Sequence, residues 1–193
     1  MDILEISEKR QRKAREIIST LHLIRLWENI GSTVNIVGSL KTGLLIHRDM
    51  DFHIYSDKIS ITDSFSVMGE LAEKGVLQDI RYKNLLDTEE ECLEWHALYK
   101  DEDDELWKFD MIHIRSGSKY DGVVEKVTDA IIRRLTPEIR KTILRIKYDM
   151  PEDMIIPGIE VYHAVFTGKV KSYKELLEWR RTNPLTNSLE WLP

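Results

Sequence analysis

The chain has 193 residues, with 28 Lys plus Arg against 34 Asp plus Glu, a net charge of −6; it is 42% hydrophobic and 32% charged. That length suits one α/β domain with a helical extension and can bury a core without cross-links, while the acidic balance argues against nucleic acid or an anionic membrane as a partner held by overall charge. Cys92 is the only cysteine, which excludes an internal disulfide and a cysteine-rich zinc site and fits a cytoplasmic setting. Met1–Glu8 lacks a signal-peptide pattern, and no apolar run approaches the roughly 18 residues of a membrane span, so a soluble protein is expected.

In chain order, residues 3–28 carry an apolar stripe at helical spacing, from Ile3 and Ile6 to Ile24 and Leu26, which predicts one long helix stopped by Gly31-Ser32. Thr33–Val37 is a short strand rich in β-branched residues. Gly38–Arg48 is a loop or short helical turn, and Met50–Tyr55 a second strand. Asp63 is positioned to cap a helix running to Lys74 and ended by Gly75. Val76–Asn84 reads as a strand; Cys92–Lys100 and Glu105–Arg115 read as a hairpin joined by Asp101–Asp104. If those four residues are the loop, Trp95 faces Asp110 across the hairpin; a slip of one residue puts His96 there.

Beyond Ser116-Gly117-Ser118 the texture becomes helical: Tyr120–Leu135, Pro137–Tyr148, Ile159–Phe166 and Tyr173–Arg181. Thr136-Pro137 and Ser172-x-x-Glu175 mark two of the starts. The expected division is an α/β domain over residues 1–117, a mixed sheet flanked by helices, and a helical domain over residues 118–193.

The chemistry concentrates in residues 37–54. Asp49 and Asp51 lie two apart in an apolar strand, so both carboxylates project from one face while Met50, Phe52 and Ile54 face a core. Paired carboxylates repel unless a cation joins them, and hard oxygen ligands suit Mg²⁺. Gly38-Ser39 ends the preceding strand, where a glycine lets backbone approach a phosphate and the serine adds a hydroxyl; Lys41 and Arg48 offer positive charge. Gly-Ser, a spacer of about ten residues, Asp-x-Asp in a strand and a third acid, Asp110, in a later strand together resemble the DNA-polymerase-β-like nucleotidyltransferase superfamily over residues 33–115.

The resemblance implies that Asp49, Asp51 and Asp110 hold two Mg²⁺ ions and that Gly38, Ser39, Lys41 and Arg48 contact the triphosphate of an NTP, with ATP the expected nucleotide. It implies transfer of a nucleoside monophosphate to a hydroxyl of a small molecule or protein, with release of pyrophosphate. A relative that binds a nucleotide or partner without transfer is the alternative. His47-Arg48-Asp49 does not make a kinase loop, because Ile54 stands where that loop needs asparagine. His53 reads as a surface histidine, and His113 points away from Asp110. Trp95, Tyr99, Trp107, Tyr162 and His163 read as packing residues.

Overall fold

In the computed structural model, residues 2–74, 77–151, 154, 156–185 and 191–193 are described. The elements are α1 (Ile3–Thr20), α2 (Leu23–Glu28), β1 (Thr33–Val37), α3 (Gly38–Thr42), β2 (Asp49–Ser56), α4 (Ile61–Glu73), β3 (Leu77–Leu85), β4 (Cys92–Lys100), β5 (Leu106–Arg115), α5 (Val123–Arg134), α6 (Pro137–Asp149), α7 (Gly158–Phe166) and α8 (Tyr173–Thr182). Element types match the sequence reading closely. The single helix expected over 3–28 is two, because His22 adopts a left-handed backbone with φ 52° between α1 and α2. Ser60 caps α4, accepting a hydrogen bond from the Asp63 N–H at 3.2 Å, and so takes the capping place expected of Asp63. Gly75 and Val76 lie outside the described residues.

The chain divides into two compact units that interleave in sequence: Met1–Gln11, Gly38–His47 and Val123–Pro193 form one, Arg12–Val37 and Arg48–Gly122 the other. A contiguous division at residue 117 does not describe this arrangement. Ile3, Leu44 and Ile46 are buried in the same apolar cluster as Val127, Ile143, Leu144 and Val161, so two N-terminal segments fold with the C-terminal helices.

The second unit carries a five-stranded sheet in the order β1-β2-β5-β4-β3. β2 and β5 pair in parallel; the other three pairs are antiparallel. Alternation along β2 and β5 gives the sheet two unlike faces. Met50, Phe52, Ile54, Phe109 and Met111 occupy the apolar one, all fully buried. His113 shares that face: its Nε2 is 2.9 Å from the Ser56 hydroxyl and its ring packs edge-on against Trp27 at 5.1 Å. Burial there lowers the His113 pKa to about 4. The other face holds Asp49, Asp51, His53, Lys108, Asp110, His96 and Arg81.

In the first unit, Thr136 caps α6 by accepting from the Ile139 N–H at 3.2 Å, with Pro137 at the first helical position. Ser172 caps α8 through the Glu175 N–H, and Glu175 reaches back to the Lys171 N–H at 2.8 Å. Among the described residues no helix is long and apolar enough to cross a membrane.

Candidate active site

The three acids lie in the sheet unit. Asp51 is the register partner of Asp110 across the parallel β2–β5 pair, and Asp49 is the partner of Lys108. Three carboxylates and one lysine therefore share adjoining positions on one face. Asp49 is half-buried and its Oδ1 is buried without a hydrogen-bond partner among the described residues. A buried carboxylate oxygen with nothing to bond carries a desolvation cost that a cation removes. That atom fits a divalent metal ligand.

Asp110 is differently placed. Its Oδ1 lies 2.5 Å from His96 Nδ1 and its Oδ2 accepts from Lys108 Nζ at 2.6 Å, so both oxygens are engaged within the sheet. Among the described residues, no group of three or more His, Cys, Asp or Glu side chains gathers as a metal cluster would. Asp49 suits a metal as it stands; Asp110 suits one once His96 or Lys108 yields an oxygen.

His96, rather than Trp95, faces Asp110. The hairpin loop takes one residue more than expected because Asp101 organises it. Asp101 Oδ1 accepts from the N–H groups of Asp103 and Glu105, both at 2.9 Å, and its Oδ2 from Trp107 Nε1 at 2.9 Å. Lys100 then pairs with Leu106, and every cross-strand partner shifts by one. Trp95 lies on the apolar face, donating to the Ser64 hydroxyl at 2.9 Å. His53 is buried with Nδ1 3.2 Å from the Tyr55 hydroxyl, so it is no surface histidine.

Arg48 is held by Glu105 through its Nε at 2.9 Å and a second, shorter contact from Nη2. That pair fixes the guanidinium at the start of β2.

Gly38, Ser39 and Lys41 belong to the helical unit. Gly38 has φ 61°, a left-handed conformation that glycine enters without steric cost, and α3 begins there. Lys41 is exposed. Ser39 is 6% exposed; its Oγ accepts from Lys147 Nζ at 2.8 Å and lies 3.3 Å from the Tyr162 hydroxyl. Lys147 is 3% exposed, and its other bond is to the Leu44 carbonyl at 3.0 Å. Among the described residues it forms no ion pair with a carboxylate. A buried ammonium held only by neutral oxygens leaves its charge uncompensated, a strong preference for an anion. Sequence reading missed Lys147. The available signal was a lysine four residues after Ile143 on the stripe formed by Ile143, Leu144 and Ile146.

No protein-family model matches the sequence, and no curated protein matches it. Solved structures do match. The Cid1 poly(U) polymerase bound to MgGTP aligns over 81% of this chain and 49% of its own, with TM-score 0.59 and 16% identity. A cytoplasmic RNA terminal U-transferase aligns over 82% of this chain and 47% of its own, with TM-score 0.53 and 15% identity. The GLD-2/RNP-8 complex aligns over 97% and 74%, with TM-score 0.55 and 12% identity. The chain spans about half the length of the first two proteins. At such identities the likeness shows the fold, which is that of the polymerase-β-like nucleotidyltransferases.

One expectation is corrected by these neighbours. Net charge set nucleic acid aside as a partner, yet this fold is shared with an RNA terminal U-transferase and a poly(U) polymerase. Net charge averages over the whole surface, whereas a strand of phosphates is gripped by a few local cations.

Proposed function

We propose that the chain is a metal-dependent nucleotidyltransferase that moves a nucleoside monophosphate from an NTP to the 3′ hydroxyl of an RNA, releasing pyrophosphate. The observation that carries this reading is the buried, unpartnered Asp49 Oδ1 beside Asp51 on the polar face of β2. The fold shared with RNA-extending enzymes supports the acceptor class. A cytoplasmic setting belongs to the same proposal.

Asp49, Asp51 and Asp110 would hold Mg²⁺, expected as two ions, which neutralises charge on the triphosphate and the reacting oxygens when bound. The chain's own groups have distinct tasks. Asp110 takes up the hydroxyl proton of the acceptor on a carboxylate oxygen, after releasing Lys108 or His96. Its bond to Lys108 is half exposed and costs little to break. Within the helical unit, Lys147 with the Ser39 and Tyr162 hydroxyls and the Gly38 backbone offers a buried positive charge and donors suited to the phosphates of an NTP. Lys41 adds exposed charge; Arg48 contributes to phosphate binding only by exchanging Glu105. ATP and UTP are the nucleotides to compare first, since the neighbours include poly(U) and poly(A) polymerases.

A second reading, a nucleotide-binding relative without transfer, is favoured by the engagement of both Asp110 oxygens. One assay separates the two. The protein is incubated with Mg²⁺, each labelled NTP in turn, and a short oligoribonucleotide. Extension of the oligonucleotide with matching pyrophosphate release supports transfer. NTP binding without extension or pyrophosphate supports the binder, and neither response refutes both.

A further inference from the structure

The polar face of the sheet extends two strands beyond the acids, and one cross-strand row runs along it from β2 to β3. Asp51 on β2 partners Asp110 on β5, Asp110 partners His96 on β4, and His96 partners Arg81 on β3. Polarity along the row runs from two carboxylates through an imidazole to a guanidinium. Beside it opens a cleft of about 330 Å³ whose polar lining is Asp79, Arg81, His96 and Lys108. Two of those residues, His96 and Lys108, are the hydrogen-bond partners of Asp110. The cleft therefore adjoins the third acid directly.

We propose that this cleft is a subsite for the last phosphodiester of a nucleic-acid acceptor, with Arg81 as its principal anion-binding group. The inference rests on the transferase reading and assigns the acceptor side of that same site. Adjacent strands lie about 4.8 Å apart, so Arg81 sits about 10 Å from Asp110 along the row, with a side chain long enough to reach back. That is the reach of one nucleotide, with its 3′ hydroxyl at Asp110 and its 5′ phosphodiester over His96 and Arg81. His96 stands between Asp110 and Glu94, whose Oε2 is 3.7 Å from its Nε2, so the terminal hydroxyl lies beside the acids and the phosphate falls toward Arg81. Arg81 is 78% exposed and its Nε donates to Asp79 at 3.0 Å, a surface pair whose exchange for a phosphate costs little. A planar guanidinium suits a phosphodiester with two parallel hydrogen bonds. Lys83 pairs loosely with Glu94 at 3.7 Å next along the edge strand and continues the path for the preceding phosphate.

The test measures binding of a fluorescein-labelled single-stranded RNA by anisotropy across a salt series. The ligands are the native strand and one whose last phosphodiester is a neutral methylphosphonate. Arg81→Ala weakens binding of the native strand about five- to tenfold and lowers the slope of log affinity against log salt by about 0.7. The methylphosphonate weakens wild-type binding by a similar factor and costs Arg81→Ala nothing further. Lys119→Ala, beyond the opposite end of β5, leaves binding unchanged. Equal losses at Lys119 and Arg81, additive losses from Arg81→Ala and the methylphosphonate, or absence of RNA binding by wild type each overturn the subsite. Metal-dependent stabilisation by an NTP, measured on the same samples, reports separately on the transferase reading.

Discussion

Replacing Lys147 with Met separates a structural lysine from one kept for a ligand. Lys147 is 3% exposed and, among the described residues, bonds to the Ser39 hydroxyl at 2.8 Å and the Leu44 carbonyl at 3.0 Å. Burying an ammonium costs several kcal/mol, and two hydrogen bonds from a charged donor return roughly 1.5–3 kcal/mol each, so the two sides nearly cancel. Methionine fills similar space without the burial cost and leaves one carbonyl lacking its donor, a loss of about 1–3 kcal/mol. The net change in the ligand-free protein is then within about 2 kcal/mol, or roughly 4–8 °C in melting temperature at this chain length. Binding behaves differently. Loss of a charge-assisted contact to phosphate, about 2 kcal/mol, weakens Mg-NTP binding about 30-fold. Thermal unfolding gives the first quantity and titration calorimetry the second. A variant that unfolds far more readily yet binds Mg-NTP with wild-type affinity would refute the reasoning and make Lys147 a structural cation.

Further outcomes follow from the two units. His113 has its pKa lowered by burial from 6.5 to about 4, so the unfolded chain takes up a proton between those values and the folded one does not. Stability is full above pH 6.5 and is lost as pH falls toward 4, on the order of 3 kcal/mol in all. Urea unfolding at pH 7.5 and 5 checks this, and in His113→Gln that part of the pH dependence disappears; an unchanged slope would show that another group carries it. Gly168 abuts the Trp179 indole, and an added Cβ would lie 2.3 Å from Nε1. Gly168→Ala therefore forces Trp179 away from its edge-on contact with His163 and destabilises the protein by about 1–3 kcal/mol in circular-dichroism melts. An unshifted melt would mean that Trp179 has room to move.

The parts legible in the sequence are those governed by short periods. Alternation in β2 separates Asp49 and Asp51 from Met50, Phe52 and Ile54, and the structure keeps that separation. Asp110 was likewise recognisable as an acid within an apolar strand, and it falls opposite Asp51. The hairpin register stayed open between Trp95 and His96 because it depends on Asp101 folding its carboxylate into the loop, which no strand pattern encodes. The break at His22 is hidden because Leu21, Leu23 and Leu26 sustain a helical stripe across it. The interleaved units depend on which core receives Ile3, Leu44 and Ile46, a tertiary choice invisible to local patterning. Lys147 was passed over because a helical lysine is ordinarily solvated; only packing reveals its burial.

The most direct test is the Mn²⁺ and non-hydrolysable-NTP titration of wild type and Asp49→Asn, followed by electron paramagnetic resonance for the metal and by thermal shift for the nucleotide. Asparagine keeps the shape of a half-buried side chain whose buried Oδ1 has no partner to lose among the described residues, so the variant folds as wild type does. The account predicts saturable, mutually dependent metal and nucleotide binding in wild type and loss of the metal signal in the folded variant. Equal metal and nucleotide binding by a folded Asp49→Asn protein would contradict it.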